Sequence, residues 1–284
     1  MVISKGLACL LCCFIFQLRE FLWNRLIIGL ITYYFNCKFM HYYSYVDPME
    51  YDMAISCHPF IDQMKGMLAY RLLEGFDFDP DGKTVLDVGT GTGLIVRFLK
   101  GIPGLKLFAC DIDPVAEEFF KSHPEHQDIL YQRIDVVAGG LKERYDGIVC
   151  SGVYHHIPKL QRPKFIKELC EHAKVVVIAD EGIQEYSTDE ERRSNCLKWY
   201  CFVIEEAKRR RLDGLARMES EFLKHDLLGI SEDKLDYKES PSHLIKDSKK
   251  AFLFPDYLDR IGPWQLNGGG FYVATYLNVK SYIK

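Results

Sequence analysis

The sequence predicts an α/β fold in which a doubly wound parallel sheet carries helices on both faces. Short apolar runs alternate with amphipathic stretches between residues 83 and 183, and a glycine-rich turn follows the first of these runs directly. Strands that alternate with helices pair in parallel through right-handed crossovers. The 284 residues are 48% hydrophobic and 27% charged, which excludes a disordered, collagen-like or purely coiled chain.

The spacing of apolar residues places the elements in order. Residues 51–73 form a predicted helix, because Ile55, Met64 and Leu68 recur at helical spacing. After a turn-rich break at residues 75–82, short apolar runs predict strands at residues 84–88, 105–110, 129–133, 145–150 and 175–179. Amphipathic stretches between them predict helices at residues 94–99, 115–121 and 161–172.

Beyond Glu181 the alternation ends. A long helix is predicted at residues 189–211 and a second at 215–228, then a polar stretch at 229–241, before strand character returns at residues 270–277. Residues 184–250 are therefore predicted to be a helical insertion between the fifth strand and the end of the sheet. The predicted organisation is one domain at residues 41–284 that contains this insertion, preceded by a hydrophobic leader at residues 1–40.

The leader has three interpretations. Residues 7–16 are an unbroken apolar run, but this is about half the length of a membrane span, and Arg19 and Glu20 interrupt its extension. No small-residue cleavage site follows it, which argues against a signal peptide. The leader is a membrane-surface anchor, an extra helix packed on the domain, or the product of an over-long reading frame in which translation starts at Met40 or Met49.

The strongest local signal is the sequence TVLDVGTGTGL, which joins the first strand to the next helix. Gly89, Gly91 and Gly93 let the backbone approach a ligand closely, and helix-start amides point into the same crevice. In a dinucleotide fingerprint the third glycine would fall on Leu94, so this G-x-G-x-G differs from that motif. Asp87, two residues before the first glycine, makes the signal more specific.

Carboxylates close the next two strands. Asp111 ends the second strand, where a carboxylate can accept hydrogen bonds from both hydroxyls of a ribose, and Asp113 is an alternative for the same role. Asp135 closes the third strand, where it can receive an exocyclic amine of a base. A single aspartate at such a place is commonly a cap or turn residue. Carboxylates at successive strand ends favour a shared ligand.

These residues resemble the class I S-adenosylmethionine-dependent methyltransferases. The resemblance rests on the glycine motif, on Asp111 with Ile112, on Asp135 with Val136 and on the fourth strand YDGIV. It covers residues 51–183 well and residues 250–284 loosely. It implies a Rossmann-like, seven-stranded sheet with a terminal antiparallel hairpin, and S-adenosylmethionine as the cofactor.

The resemblance also implies roles for single residues. In the family, the positions of Gly89, Gly91 and Gly93 border the methionine moiety, and that of Asp87 orients the glycine loop and the methionine amine. The resemblance further implies that Asp111 holds the ribose, that Ile112 packs on the adenine and that Asp135 meets the adenine amine. Val136 and Ser151 complete the expected cofactor-binding set.

The run SGVYHHI after the fourth strand indicates the type of methyltransferase. It lacks the Asn/Asp-Pro-Pro-aromatic run of enzymes that methylate adenine or glutamine nitrogens. Cys150 is preceded by Val149 and not by the proline of RNA 5-methylcytosine enzymes, which argues against a cysteine nucleophile. His155 and His156 resemble small-molecule methyltransferases instead. Each histidine is either a general base, because histidine titrates near neutrality, or a structural residue behind the cofactor.

Two further features face the same crevice by topology. Asp180 and Glu181, just past the fifth strand, would bind a cationic substrate, act as a base or cap the next segment. The insertion resembles a lid over the acceptor. Its aromatic residues Trp199, Tyr200 and Phe202 either line a pocket or only bury their own helix against its neighbour. The basic run at residues 208–211 is either a solvated helix face or an anion-binding site.

The predicted function is methyl transfer to a small-molecule acceptor by direct displacement. The alternatives are a protein or RNA methyltransferase and a non-catalytic module that binds S-adenosylmethionine. A net charge of −4 argues against a general nucleic-acid partner. The ten cysteines include no second pair that would complete a metal site, and they indicate a reducing compartment. We therefore expect no metal and a cytoplasmic enzyme, or a membrane-associated one through residues 1–40; the sequence is silent on oligomeric state.

Overall fold

A computed structural model of the protein describes residues 47–227 and 237–277, in which seven strands form one sheet. The spatial order is β3-β2-β1-β4-β5-β7-β6. The strands are β1 (Thr84–Val88), β2 (Lys106–Asp111), β3 (Leu130–Arg133), β4 (Tyr145–Ser151), β5 (Ala173–Ile183), β6 (Tyr257–Ile261) and β7 (Gly269–Leu277). Strands β1 to β5 pair in parallel, and β7 runs antiparallel to β5 and β6. The predicted Rossmann-like sheet with a terminal antiparallel hairpin is confirmed.

Helices cover both faces of this sheet. They are α1 (Pro48–Ser56), α2 (Ile61–Glu74), α3 (Leu94–Leu99), α4 (Pro114–Ser122), α5 (Arg162–His172), α6 (Asp189–Arg209), α7 (Asp213–Leu227), α8 (Pro241–Lys250) and α9 (Trp264–Asn267). Leu68 of α2 packs with Val85 and Val149 on one face. Phe165 of α5 packs with Leu86 and Ile148 on the other. Neighbouring residues of β1 and β4 thus point to opposite cores, as expected for a sheet buried on both sides.

The parallel register brings the carboxyl ends of four strands to one edge. Val88 of β1 pairs with Cys110 of β2 and with Cys150 of β4, and Cys150 pairs with Ile178 of β5. The segments that follow these strands therefore meet above the middle of the sheet. In open α/β sheets this crevice is where ligands bind.

The predicted single helix at residues 51–73 is wrong, because α1 ends at Ser56 and α2 begins at Ile61. Pro59 interrupts the pattern, since proline has no amide hydrogen and its ring clashes with the preceding turn of a helix. Phe60 takes a left-handed φ of 65° as the N-cap residue of α2. The break turns His58 into the protein interior.

Strand β5 is longer than its apolar run at residues 175–179 predicted. It continues to Ile183 because β7 pairs along its whole length, with Asp180 opposite Tyr272 and Glu181 opposite Phe271. The extension was not predicted, because these two carboxylates interrupt the apolar run. Both acidic residues therefore lie within the sheet and not in the segment that follows it.

The insertion at residues 184–250 contains α6, α7 and α8. Helices α6 and α7 pack on each other around Trp199, Val203 and Leu215. Helix α8 was not predicted, because it offers few apolar residues, but Leu244 lies fully buried in the core shared by α5 and the sheet. The last part of the insertion is therefore built into the sheet domain.

The leader at residues 1–40 lies outside the described residues, so its three interpretations remain predictions. Among the helices of residues 47–227 and 237–277, none has both the length and the apolar character needed to cross a membrane. Six cysteines belong to these ranges, and all six are free thiols.

Candidate active site

The glycine-rich turn connects β1 to α3 at the carboxyl edge of the sheet. Gly93 is the N-cap residue of α3 with a φ of 85°, in the left-handed region that favours glycine. A Cβ atom at Gly93 would lie 2.6 Å from the ring of His126. Gly89 and Gly91 also take positive φ angles, and a Cβ atom at Gly89 would collide with Val153 after β4. The turn is thus shaped by its own backbone and neighbours before any ligand is considered.

Asp87 organises this turn from below. Its side chain is almost fully buried, and its Oδ2 atom accepts a hydrogen bond of 2.8 Å from the Thr90 hydroxyl. Burial, together with the nearby charge of Asp111, raises the pKa of Asp87 to about 7 against the lowering effect of the Thr90 hydrogen bond. A carboxylate with this pKa gains from a cation placed in the crevice.

Asp111 and Asp113 have different partners, which separates the two candidates for a ribose ligand. Asp111 accepts hydrogen bonds from the Gly91 amide at 2.8 Å and the Asp113 amide at 3.0 Å, so it lies against the glycine turn. Burial raises the pKa of Asp111. Asp113 accepts a hydrogen bond of 2.8 Å from the Val115 amide and caps α4. Asp111 therefore fits the ligand role, and Asp113 is a helix cap.

The remaining predicted cofactor residues follow β2 and β3. Ile112 is 36% exposed, which leaves an apolar surface beside Asp111. Asp135 is half-buried and accepts a hydrogen bond of 3.0 Å from the Ala138 amide in its own turn. The side chain of Val136 is buried in the core under the sheet, so only its main chain is available to a ligand.

This set of residues fits S-adenosylmethionine. Two largely desolvated carboxylates, Asp87 below the glycine turn and Asp111 against it, favour a ligand that carries positive charge and hydroxyl donors. Ile112 adds an exposed apolar surface for a flat ring. The donors and acceptors thus match a sulfonium, a ribose and an adenine in chemistry.

Helix α1 is tied to the glycine turn through Arg97 of α3. One guanidinium nitrogen donates to the Thr92 carbonyl at 2.8 Å, and another pairs with the Asp52 carboxylate at 2.6 Å. Both charged side chains are largely shielded from solvent. This contact holds α1 beside the crevice, and no sequence motif pointed to it.

The end of β4 carries Cys150 and Ser151. Cys150 is fully buried, and burial raises the pKa of its thiol well above the ordinary value, which disfavours the thiolate that a nucleophilic cysteine needs. Ser151 is half-buried, and its hydroxyl lies 3.8 Å from the sulfur of Met64. Ser151 thus stands at the sheet edge where the expected cofactor site begins.

His155 lies on a short 3-10 turn (Tyr154–His156) directly after β4 and is held by Asp180 of β5. The Asp180 carboxylate accepts one hydrogen bond from the main-chain amide of His155 at 3.0 Å and contacts the ring Nδ1 atom at 2.6 Å. Asp180 is itself buried, and it also accepts from the Glu181 amide at 2.7 Å. This is the arrangement in which a carboxylate fixes the orientation and the tautomer of a histidine.

His156 lies beside His155, with 3.8 Å between the ring centroids. Burial holds the pKa of His156 well below its ordinary value, and the neighbouring charges of Lys238 and Arg162 lower it further. Both effects disfavour the protonated, charged form of the His156 ring. The two histidines that the sequence could not distinguish thus have different chemistry.

A buried group of charged residues lies near His156, where the insertion meets the end of β5. Glu181 pairs with His58 at 3.0 Å and with Lys238 at 2.8 Å, and Glu219 of α7 lies 3.7 Å from the same His58 nitrogen. Lys238 also donates to the Tyr200 hydroxyl at 3.1 Å. The carboxylates outweigh the effect of burial and raise the pKa of His58. Sequence analysis anticipated Glu181 but missed His58, Lys238 and Glu219, which are distant from it in the chain.

The aromatic residues of α6 are core residues. Trp199 and Tyr200 are fully buried, and Trp199 stacks on Phe202 with 5.7 Å between centroids. Phe202 in turn stacks on Phe60 at the start of α2. Tyr154 is also buried, and its hydroxyl donates to Asp247 of α8 at 2.8 Å. These rings hold the insertion and the histidine turn in place, and Trp199, Tyr200 and Tyr154 present no open face to solvent.

The basic run at residues 208–211 is a surface feature of the end of α6. Arg209 pairs with Glu206 on its own helix, and Arg210 donates to the Cys57 carbonyl. Within the described residues, no cluster of three or more histidine, cysteine, aspartate or glutamate side chains has an arrangement that could hold a metal ion.

A family model described as a methyltransferase domain matches residues 60–224 of this chain. The chain is 35% identical over 105 residues to a ribosomal protein L11 methyltransferase from Dictyoglomus turgidum, which covers 36% of this chain and 32% of that protein. It is 35% identical over 77 residues to a tRNA1(Val) (adenine(37)-N6)-methyltransferase from Vibrio vulnificus, covering 25% of this chain and 32% of the relative. The matches thus span about a third of the length of these curated relatives.

Solved structures match over more of the chain at lower identity. A sarcosine dimethylglycine methyltransferase candidate from Galdieria sulphuraria matches with a TM-score of 0.50 and 15% identity, over 76% of this chain and 85% of that one. This similarity agrees with the sheet order and supports the fold. Because the methyltransferase family model spans more than half of the chain, and because the glycine turn and its carboxylates fit the cofactor, this protein belongs to the class I S-adenosylmethionine-dependent methyltransferases.

Proposed function

We propose that this enzyme transfers a methyl group to a hydroxyl oxygen of a small-molecule acceptor by direct displacement. The pairing of His155 with Asp180 at the ends of β4 and β5 carries the proposal. A hydroxyl must lose its proton as its oxygen attacks a methyl group, so its methylation benefits from a positioned base more than that of a neutral amine does.

The cofactor would lie along the carboxyl edge of the sheet. Bound there, it supplies a methyl group on a positively charged sulfur. Asp111 would accept hydrogen bonds from the ribose hydroxyls, Ile112 would pack on the adenine, and Asp135 would accept from the adenine amine. The other residues proposed to form this site are Asp87, Gly89, Gly91, Gly93, Val136 and Ser151.

His155 is the proposed general base. Asp180 engages the Nδ1 atom, so Nε2 is the ring nitrogen that would exchange a proton with the acceptor. The buried carboxylate also stabilises the imidazolium that forms when the proton arrives. His156 is a poor base because its pKa lies well below the ordinary value, and its proposed role is to pack against the ring of His155.

The insertion supports a small acceptor. At the end of β5, Glu181 pairs with His58 and with Lys238. The side chains of all three residues are almost inaccessible to solvent. An acceptor site closed to solvent at this place would exclude water from the displacement and would suit a small molecule better than a polymer. We therefore propose that the insertion at residues 184–250 acts as a lid over the acceptor, and that α8 anchors it in the sheet domain.

A protein or RNA acceptor is the competing function, because the curated relatives are named for ribosomal protein L11 and for tRNA. Such an acceptor would need an open basic surface beside the crevice. Arg209 is instead paired on its own helix, and Arg97 is occupied by Asp52 and the Thr92 carbonyl. The net charge of −4 also argues against a general nucleic-acid partner.

The proposal is tested by incubating the enzyme with methyl-labelled S-adenosylmethionine and a cell extract divided into metabolite, RNA and protein fractions. We expect label in the metabolite fraction, on a product whose fragmentation in a mass spectrometer places the added methyl group on an ether oxygen. His155→Asn should abolish most of this signal, whereas Lys167→Gln on the exposed face of α5 should not. Label that appears only in RNA or protein would refute the small-molecule proposal.

A further inference from the structure

The turn that carries His155 is held from two sides, and only one of them is the Asp180 contact. On the opposite side, Arg162 of α5 donates to the Ile157 carbonyl at 2.8 Å and to the His155 carbonyl at 3.3 Å. The Arg162 guanidinium is almost completely buried and lies 4.7 Å from the ring of Tyr154. One side chain therefore binds the main chain on both sides of His156.

A guanidinium in such a place needs a counter-charge, and Glu239 provides it. Glu239 pairs with Arg162 directly, and both side chains are buried. The outer oxygen of Glu239 lies 3.3 Å from Lys159, whose side chain is mostly exposed. Removing the partner of a buried charge costs far more than removing a surface ion pair. The position of Arg162, and with it the position of the His155 turn, therefore depends on Glu239.

Glu239 belongs to a short stretch, Tyr237 to Ser240, that we call the clasp. All four residues of the clasp are buried, although it has no regular secondary structure. The Glu239 carbonyl accepts from the Ile183 amide at 3.2 Å, which fixes the clasp to the end of β5. The sequence showed only that this stretch is polar, and its buried charges are explained by their partners in the folded chain.

The clasp is also bound to the helices of the insertion. Lys238 pairs with Glu181 of β5 and donates to the Tyr200 hydroxyl of α6, while the Lys238 carbonyl accepts from Arg192 of α6 at 3.3 Å. The Tyr237 ring lies 4.2 Å from the Arg192 guanidinium. The clasp, which is itself part of the proposed lid, thus connects α6 to the turn of the proposed base.

We propose that Glu239 is a positioning residue for methyl transfer, which acts through Arg162 to hold the His155 turn in register with the insertion. This inference rests on the proposed role of His155. In this proposal two contacts fix the orientation of His155. One is with Asp180 of the sheet, and the other is with Arg162 of α5, which is itself held by Glu239 of the clasp. Neither Arg162 nor Glu239 touches the reacting atoms in this scheme.

The first test is a spectroscopic one that needs no acceptor. In enzyme saturated with S-adenosylhomocysteine, ¹⁵N imidazole shifts report which nitrogen of His155 carries the proton. We expect Glu239→Gln, a neutral substitution of similar size, to change the His155 signals and to leave those of His172 unchanged. His155 signals identical to the wild type would overturn the proposal. This readout stays valid even if His155→Asn shows that His155 is not the base, so the two proposals fail separately.

The second test separates positioning from stability. We expect Glu239→Gln to lower kcat by about 10- to 100-fold on the extract fraction that accepts label, because small misplacements of reacting groups cost about that much. The affinity for S-adenosylmethionine and the KM of the acceptor should stay near the wild type. Glu171→Gln, at an exposed position of the helix that carries Arg162, is the matched control and should keep the wild-type kcat.

A double variant covers the case in which a single change prevents folding. Arg162→Met with Glu239→Leu removes both charges, and replacing a buried ion pair by apolar residues of similar volume often preserves stability. We expect this variant to fold and still to show the reduced kcat, because the His155 and Ile157 carbonyls have lost their donor. Recovery of wild-type kcat together with stability would mean that the pair is structural only, and would overturn the proposal.

Discussion

Asp180 contacts His155 twice, through the ring Nδ1 atom at 2.6 Å and through the main-chain amide at 3.0 Å. The two residues are 25 positions apart in the chain, and the parallel pairing of β4 with β5 brings their segments together, with Ser151 opposite Ala179. Because one carboxylate binds both the ring and the backbone, the ring cannot rotate without breaking its hydrogen bond to the buried Asp180 carboxylate. The geometry gives this histidine a fixed direction in the crevice.

The first prediction concerns this pair. Asp180→Asn should lower kcat by about 10²- to 10⁴-fold, the usual contribution of a general base, because an amide can no longer fix the tautomer or stabilise the imidazolium. The affinity for S-adenosylmethionine should not change, since no proposed cofactor residue touches Asp180. Single-turnover transfer and calorimetry measure the two effects. Asp62→Asn, at an exposed position of α2, is the control, and a wild-type kcat in Asp180→Asn would remove His155 as the base.

The second prediction separates Asp111 from Asp113. Asp111→Ala should weaken S-adenosylmethionine binding about tenfold or more, because hydrogen bonds to a charged group contribute roughly 1.5–3 kcal/mol. Asp113→Ala should leave affinity unchanged and lower the free energy of unfolding by about 1 kcal/mol, since it removes the N-cap of α4. Calorimetry and urea unfolding measure the two quantities. Equal affinity losses in both variants would contradict the assignment of Asp111.

The third prediction compares two glycines with positive φ angles. A Cβ atom at Gly93 would lie 2.6 Å from the His126 ring, whereas one at Gly152 meets nothing within 4 Å. Gly152→Ala should therefore lower the free energy of unfolding by about 1 kcal/mol, from backbone strain alone. Gly93→Ala should cost about 2–4 kcal/mol, because overpacking is added to the strain. Similar unfolding midpoints in urea would show that His126 moves aside freely.

Much of the fold could be predicted because its elements repeat a simple pattern. Strand β1 and helix α3 lie where the apolar runs placed them, and the end of β2 falls at Asp111. The errors arise where tertiary contacts override local pattern. Pro59 divides the first helix, and pairing with β7 extends β5 through two carboxylates. Helix α8 was not predicted, because a single buried leucine gives no recognisable periodicity of apolar residues.

The candidate site was predictable as far as residues near in sequence define it. The glycine turn, Asp87 and Asp111 follow one another within two strands, so their spacing is itself a signal. Arg162 and Glu239 are 77 positions apart and have no motif. A buried charge can be recognised only by its partner, and the partner is known only once the chain is folded. The distinction between His155 and His156 has the same origin, because it depends on Asp180 and on burial.

The last prediction is a pH dependence of cofactor binding that arises from Asp87. Burial raises the pKa of this carboxyl from its ordinary 3.8 to about 7. A bound sulfonium and ammonium favour the ionised carboxylate, so binding should lower this pKa and release a proton. Affinity should then rise as the pH increases through about 7 and level off above it.

The stability of the free protein should depend on pH in the opposite direction. The folded state holds a proton on Asp87 that the unfolded state gives up near pH 4, so the free energy of unfolding falls between about pH 4 and 7. Asp87→Asn, which keeps an acceptor for the Thr90 hydroxyl, should remove most of both effects. Calorimetry in buffers of different ionisation enthalpy measures the released proton, and proton release that is unchanged in Asp87→Asn would assign the effect to another carboxyl, with Asp111 as the next to test.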